Sequence, residues 1–212
     1  MSDWVVALSR GRVAEDLRPL WEAAGWHLPD LEGSRSLYFP PQGRSPGVIV
    51  ARGVDVPTLV AQGAAQFGVV GRDMLAEHPD SGVLEVLDLG ISRCRLVLAG
   101  QSPSWPDGPV RVASKYSRLT RQFFAKAQHP VEVVPLSGSL ELAPLIGLAP
   151  YIVDLVATGA TLRAHGLVEI RSILSSTARL VVNPGIWRTQ AGGRSFVREM
   201  AAAKGRMMRG SA

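Results

Sequence analysis

A single cysteine, Cys94, stands in the 212 residues, which rules out a disulfide within the chain and suits a reducing cytoplasm. No histidine accompanies it locally, so Cys94 reads as a small buried strand residue and not as a nucleophile. No apolar run approaches the roughly 20 residues that cross a bilayer. The opening segment has no basic leader, and its apolar run stops at Ser9-Arg10, so it reads as a first strand and not as a secretion signal. Aromatic residues make up only 6%, and the basic residues are scattered without an aromatic-interleaved stripe, which counts against a nucleic-acid surface. Lysine is scarce as well: Lys115, Lys126 and Lys204 are the only three, so arginine carries most of the formal charge of +5. Arginine suits forked recognition of phosphate groups. A GC-rich genome would raise arginine in the same way, and small phosphorylated substrates explain the balance as well as a polyanion does. Neither an internal repeat nor a low-complexity segment is present. What remains is an ordinary globular composition, 46% apolar and 19% charged, with enough chain for one domain or two modest lobes.

The most informative stretch runs from Ile152 to Leu162. A short apolar run carrying one carboxylate, Asp154, leads into Thr158-Gly159-Ala160-Thr161 and then into helix-compatible residues. A strand, a glycine turn with flanking hydroxyls and a helix start present several backbone N–H groups to a phosphate. Gly159 permits close approach, and Thr158 and Thr161 add donors. Asp154 is placed to hold ribose hydroxyls or to share a magnesium ion. An ordinary strand-to-helix turn with Thr161 as N-cap fits the same residues.

Similar junctions recur along the chain. A strand over 4–8 is followed by Ser9-Arg10-Gly11-Arg12 and a helix over 13–24, with Val13, Leu17, Leu20, Trp21 and Ala24 on one face. That turn is a second candidate anion site, or else a solvated basic turn. Residues 37–39 and 47–52 form a strand pair joined by a loose proline-rich loop, and Arg52 falls at the carboxyl end, where ligands gather in open α/β sheets. A helix capped by Asp55 follows, then a strand over 65–70 closing on Gly71-Arg72-Asp73. Residues 90–100 read as one extended crossover into a second lobe. There, a helix over 118–126 turns Leu119, Phe123 and Ala127 or Phe124 inward, and Leu136-Ser137-Gly138-Ser139 forms a third small-polar turn, with Ser139 as N-cap. The basic segment 193–210 reads as a terminal helix whose Phe196, Met200, Ala203 and Met207 dock on the first lobe.

Taken together, these turns resemble the ATP phosphoribosyltransferases of histidine biosynthesis. The blocks 7–12, 51–57 and 68–73 follow the family order, and Ala113-Ser114-Lys115-Tyr116, Leu136-Ser137-Gly138-Ser139-Leu140-Glu141 and Val153-Asp154 through Gly166-Leu167 match in order and spacing. The resemblance covers about residues 5–184. It implies an α/β, two-lobed fold of the periplasmic-binding-protein-like (type II) kind with the active site in the inter-lobe cleft. Lobe one would comprise residues 1–90 plus 183–212, and lobe two residues 91–182 with the phosphoribosyl pyrophosphate loop. The chain length resembles the short, catalytic-only form, which works with a regulatory subunit similar to the core of histidyl-tRNA synthetase.

The reaction implied is transfer of phosphoribose from phosphoribosyl pyrophosphate to N1 of the ATP adenine in a cytoplasmic enzyme, with Mg2+ held by substrate phosphates and no metal ligand assigned on the chain. By family position, Thr158, Gly159, Ala160, Thr161 and Leu162 hold the 5′-phosphate and Asp154 the ribose hydroxyls. Arg35 and Arg52 match arginines that contact pyrophosphate and nucleotide phosphates, and Arg10 and Gly11 line the same anion site. Asp73, Ser137, Gly138 and Glu141 are candidates for the nucleotide end. The family further suggests a homodimer within a hetero-oligomer, with neither nucleic acid nor membrane as partner. Arg10 replaces a frequent lysine, Pro150-Tyr151 a commoner Asp-Ala pair, and Ala157 and Ala160 replace frequent Ser and Thr. A non-catalytic small-anion-binding protein on the same fold is the alternative.

Overall fold

The computed structural model describes residues 4–210. Along the chain, β1 (Val5–Leu8), α1 (Arg12–Ala23), β2 (Tyr38–Phe39), β3 (Gly47–Val50), α2 (Val56–Ala61), β4 (Phe67–Gly71), α3 (Arg72–Glu77) and β5 (Leu84–Asp88) come first. Next are β6 (Cys94–Gly100), β7 (Val110–Ser114), α4 (Ser117–Lys126), β8 (Val131–Pro135), α5 (Leu142–Leu145), β9 (Tyr151–Val156), α6 (Ala160–Ala164) and β10 (Val168–Ser176). The last elements are β11 (Ala178–Val182), α7 (Pro184–Thr189) and α8 (Ala191–Gly210).

These elements divide into two compact units, one made of residues 1–92 and 177–212 and the other of residues 93–176. The first unit is built on a six-stranded sheet in the order β2-β3-β1-β4-β11-β5. β1 lies between β3 and β4, parallel to both, so the period-2 alternation of β1 feeds two cores. Val6 and Leu8 join Leu17, Leu20 and Trp21 of α1 and Phe196, Met200 and Ala203 of α8 on one face. Ala7, with Val181 and Val70, packs under Val56 and Val60 of α2 on the other. Gly68 makes the second face possible: a Cβ there would lie 2.7 Å from a Val56 methyl and 2.8 Å from a Val60 methyl.

The expected docking of the terminal helix is seen in full. Phe196 is 2% exposed, Met200 and Ala203 are fully buried, and Phe196 stacks on Trp26 with ring centroids 4.9 Å apart and planes 3° from parallel. The α1 face is displaced by a fraction of a turn: Ala14 is buried, while Val13 and Ala24 are half-buried.

The second unit carries a five-stranded sheet in the order β10-β6-β9-β7-β8, with β7 parallel to both β8 and β9. Its core gathers Val97, Ala113, Ile152, Val156 and Leu162. Trp105 packs against Phe123 and Phe124 at 5.8 and 5.7 Å between centroids.

Several local expectations are corrected. The return to the first unit comes at residue 177, not 183, because β11 pairs antiparallel with β4 and with β5 of the first sheet. Residues 90–100 are not one extended stretch: Gly90 and Ser92 have φ of 73° and 53°, and the strand starts at Cys94. Asp55 makes no side-chain cap, since its own backbone is already helical. Ser139 has φ of 50° and precedes a short helix that opens after Glu141. In α4 Phe124 and not Ala127 is the inward alternative, but Thr120 is buried where Leu119 and Phe123 are only half-buried, because Thr120 returns its hydroxyl to the Tyr116 carbonyl at 2.7 Å. Cys94 is half-buried and its Sγ lies 3.8 Å from the Ser176 carbonyl, as a structural residue would.

Candidate functional site

Parallel strands end together, so the loops that follow them gather at one edge of a sheet. In the first unit the carboxyl ends of β1 and β3 are in register, with Leu8 opposite Val50 and the Ala51 N–H on the Leu8 carbonyl at 3.0 Å. This sets the Arg10 turn beside Arg52. β2 runs antiparallel to β3, and the Val50 N–H donates to the Leu37 carbonyl at 2.8 Å, so the chain preceding β2 carries Arg35 to the same edge. Arg35 and Arg52 are both exposed. Neither side chain makes a hydrogen bond or ion pair with the described residues. Two unpartnered guanidinium groups at one strand edge offer forked donors to an anion.

Arg10 is placed differently. Its Nη1 donates to the carbonyls of Leu31 and, at 2.7 Å, Ser34, and its Nη2 to that of Ser36 at 2.9 Å. Gly11, at φ 69°, donates its N–H to the Glu32 carboxylate at 2.8 Å. Both residues expected to line an anion site thus hold the segment that carries Arg35. Asp73, in the first turn of α3, is 4% exposed, and its carboxylate folds back over Gly71.

The second unit repeats the edge. Ser114 at the end of β7 donates its hydroxyl to the Val153 carbonyl at 2.7 Å and accepts the Tyr116 N–H at 2.9 Å, all buried, which fixes β7 against β9. Beyond β8, Ser137 and Gly138 are exposed and Glu141 is half-buried. Asp154 lies two residues before the end of β9, half-buried, with Oδ1 accepting the Leu155 N–H at 2.8 Å. Gly159 adopts φ 77° and is itself the N-cap of α6, so Thr161 is a helical residue and not a cap. Only glycine takes that left-handed conformation without penalty. Thr158, Ala160 and Thr161 are exposed, whereas the Leu162 side chain is in the core and can offer a ligand only its backbone.

Three basic residues here escaped the sequence-based site. Arg163 reaches back from the end of α6 to the Thr158 carbonyl at 3.1 Å and lies over Gly159. Arg95 donates to the Ala157 carbonyl at 3.3 Å while paired with Glu169 at 2.6 Å. Lys115 is exposed at the carboxyl end of β7, 4.9 Å from the Tyr116 ring centre. For two of them the signal was position: Lys115 comes just after a parallel strand and Arg163 four residues beyond the Gly159 turn, whereas Arg95, near the start of the antiparallel strand β6, carried none.

Among the described residues no group of three or more histidine, cysteine or acidic side chains is placed to hold a metal ion. The donor set at the second edge, one carboxylate beside a phosphate-type loop, fits a hard cation that keeps most of its shell from substrate oxygens.

A two-unit α/β chain with glycine-bearing loops at the carboxyl edges of parallel strands has the architecture of periplasmic binding proteins. The aliphatic sulphonate binding protein SsuA of Escherichia coli superposes with a TM-score of 0.61 at 12% identity, over 98% of this chain and 75% of that one. A chain of the ATP phosphoribosyl transferase (HisG:HisZ) complex from Thermotoga maritima superposes far better, with a TM-score of 0.79 at 28% identity, over 96% of this chain and 99% of that one. Residues 52–203 match the HisG family model, described as ATP phosphoribosyltransferase. The ATP phosphoribosyltransferase of Nitrosococcus oceani is 47% identical over 180 residues, 84% of each chain. That of Halorhodospira halophila is 45% identical over 190 residues, 87% of each chain. This chain belongs to the ATP phosphoribosyltransferase family.

Proposed function

We infer that this chain condenses ATP with 5-phosphoribosyl 1-pyrophosphate to N1-(5-phosphoribosyl)-ATP and pyrophosphate, the first step of histidine biosynthesis. Family membership over most of the chain carries the reading. The edge geometry supports the assignment of parts. In the second unit, the exposed turn Thr158-Gly159-Ala160-Thr161 receives the 5′-phosphate through backbone N–H groups and hydroxyls, and Asp154 takes the ribose hydroxyls. Arg163 adds a fixed cation at that loop. In the first unit, Arg35 and Arg52 meet the pyrophosphate. As the bond from the anomeric carbon to pyrophosphate breaks, positive charge builds on the sugar and negative charge on the leaving group; the lone pair of adenine N1 then forms the new bond. Guanidinium groups already in place for the leaving group lower that barrier without a covalent intermediate.

A divalent cation, Mg2+ in our reading, would be held by substrate phosphate oxygens, with Asp154 the carboxylate we place beside them. When bound it neutralises phosphate charge. Ser137, Gly138 and Glu141 are assigned to the nucleotide end, and Asp73, buried in its own helix turn, to supporting the first edge from behind. A regulatory subunit of the kind bound to the Thermotoga maritima relative, a homodimer of this chain within the assembly and a cytoplasmic location belong to the same reading. No described helix is long and apolar enough to cross a membrane.

The test is product mass. Incubation of the protein with ATP, phosphoribosyl pyrophosphate and magnesium yields a species equal to the two substrates less pyrophosphate. Recovery of both substrates unchanged, with and without a regulatory subunit, would refute the assignment.

A further inference from the structure

The segment 30–36 is short, polar and exposed over most of its length, with Leu31 as its one fully buried anchor. Such a segment would ordinarily sample many conformations, yet here it is tied down from two sides. Internally, Asp30 Oδ1 accepts the N–H groups of Glu32 and Gly33 at 3.1 and 3.0 Å, and Ser34 Oγ accepts that of Ser36 at 3.1 Å. From outside, the turn after β1 grips it. One guanidinium, that of Arg10, spans the carbonyls of Leu31, Ser34 and Ser36, while the next N–H, of Gly11, takes the Glu32 carboxylate.

The carbonyls on both sides of Arg35, those of Ser34 and Ser36, are therefore pinned by one side chain, and the Arg35 side chain itself is left exposed. Three of the five N–H donors of Arg10, including both on Nη1, are already committed to carbonyl oxygens. We propose that Arg10 is a positioning residue for Arg35: it acts on the reaction by fixing the 31–36 segment, not by touching a substrate. This rests on the reading of Arg35 as a pyrophosphate contact. The fork is what the task requires. Two terminal nitrogens fixed in one plane bridge carbonyls that a single ammonium centre cannot reach together, so lysine at this position keeps the charge and loses the clamp. An exposed cation on an unpinned segment is displaced by an ångström or more, enough to cost on the order of 100-fold in rate.

The test is a pair of mutant cycles on the full chain, assayed for turnover with both substrates and checked for folding by thermal melts. R10A lowers kcat by roughly 10- to 100-fold, and R10K restores only part of it. In an R35A background R10A has little further effect, whereas in an R52A background it keeps its full effect. Amide exchange over residues 31–36 quickens in R10K. Should R10A fail to fold, R10K carries both cycles. Multiplicative losses for Arg10 and Arg35, or a loss confined to KM with kcat intact, would overturn the positioning role and make Arg10 a direct ligand. Wild-type turnover in R35A would instead remove Arg35 from the site, and the proposal with it.

Discussion

Arg52 concentrates the chemical argument at the level of single residues. It follows the last residues of a parallel strand and is exposed, and its side chain has no partner among the described residues, so its charge is free to meet an anion at no structural cost. R52A is expected to lower turnover about 100-fold or more with an unchanged thermal melt, read by steady-state kinetics and circular dichroism; near-normal turnover would take it off the list. Asp88 shows the opposite use of charge. Burial alone would raise its carboxyl, but the Thr177 hydroxyl, the Gly90 N–H and the charges of Arg179 and Lys204 outweigh burial and hold it below the ordinary value. A carboxyl depressed in the folded state stabilises above its unfolded pKa of about 3.9, and that contribution disappears as pH falls through the folded value. The difference in melting temperature between wild type and D88N should be present at pH 7 and shrink below about pH 4. A difference that stays constant with pH would mean that Asp88 acts through geometry alone.

Among the elements, α8 is the clearest case of sequence periodicity becoming packing. Phe196 lies between Trp26 and Phe67, 4.9 and 4.3 Å from their ring centres. F196A should cost about 3–5 kcal/mol in urea unfolding, and a loss under ~1 kcal/mol would show that the helix is not part of the core. The stripe Phe196, Met200, Ala203, Met207 was legible because burial and helical spacing are local properties of the sequence. So were the strand-glycine-helix junctions at Gly11, Gly71 and Gly159, all of which open helices. What stayed hidden depends on partners distant in sequence. Arg10 is 21 to 26 residues from the carbonyls it holds, and nothing in Ser9-Arg10-Gly11 distinguishes a clamp from an anion contact. Asp55 and Ser139 have the right chemistry for caps, but backbone conformation decided otherwise. The strand Ala178–Val182 was legible as a strand, but its sheet was not, because pairing with β4 and β5 follows from topology and not from its own residues.

At the scale of the whole molecule, both units place candidates on loops following parallel strands, Arg52 in the first and Ser137 and Thr158 in the second, while Arg35 reaches the first edge from the segment preceding the antiparallel strand β2. The net charge of +5 suits two polyphosphate substrates without calling for nucleic acid. The family relationship identifies the chemistry, and the exposed side chains at the strand edges are our candidates for carrying it. Some arginines serve structure (Arg10 on carbonyls, Arg95 on Glu169, Arg179 on Glu85 and Asp88), whereas the Arg35 and Arg52 side chains have no partner among the described residues. The most direct test is the rate of pyrophosphate release from the purified chain, with each substrate omitted in turn and with and without the regulatory subunit. Release that requires ATP, phosphoribosyl pyrophosphate and magnesium together, and that rises when the subunit is added, is the predicted result. Binding of either substrate without any release, even with the subunit present, would contradict the account and leave an anion-binding protein on a transferase fold.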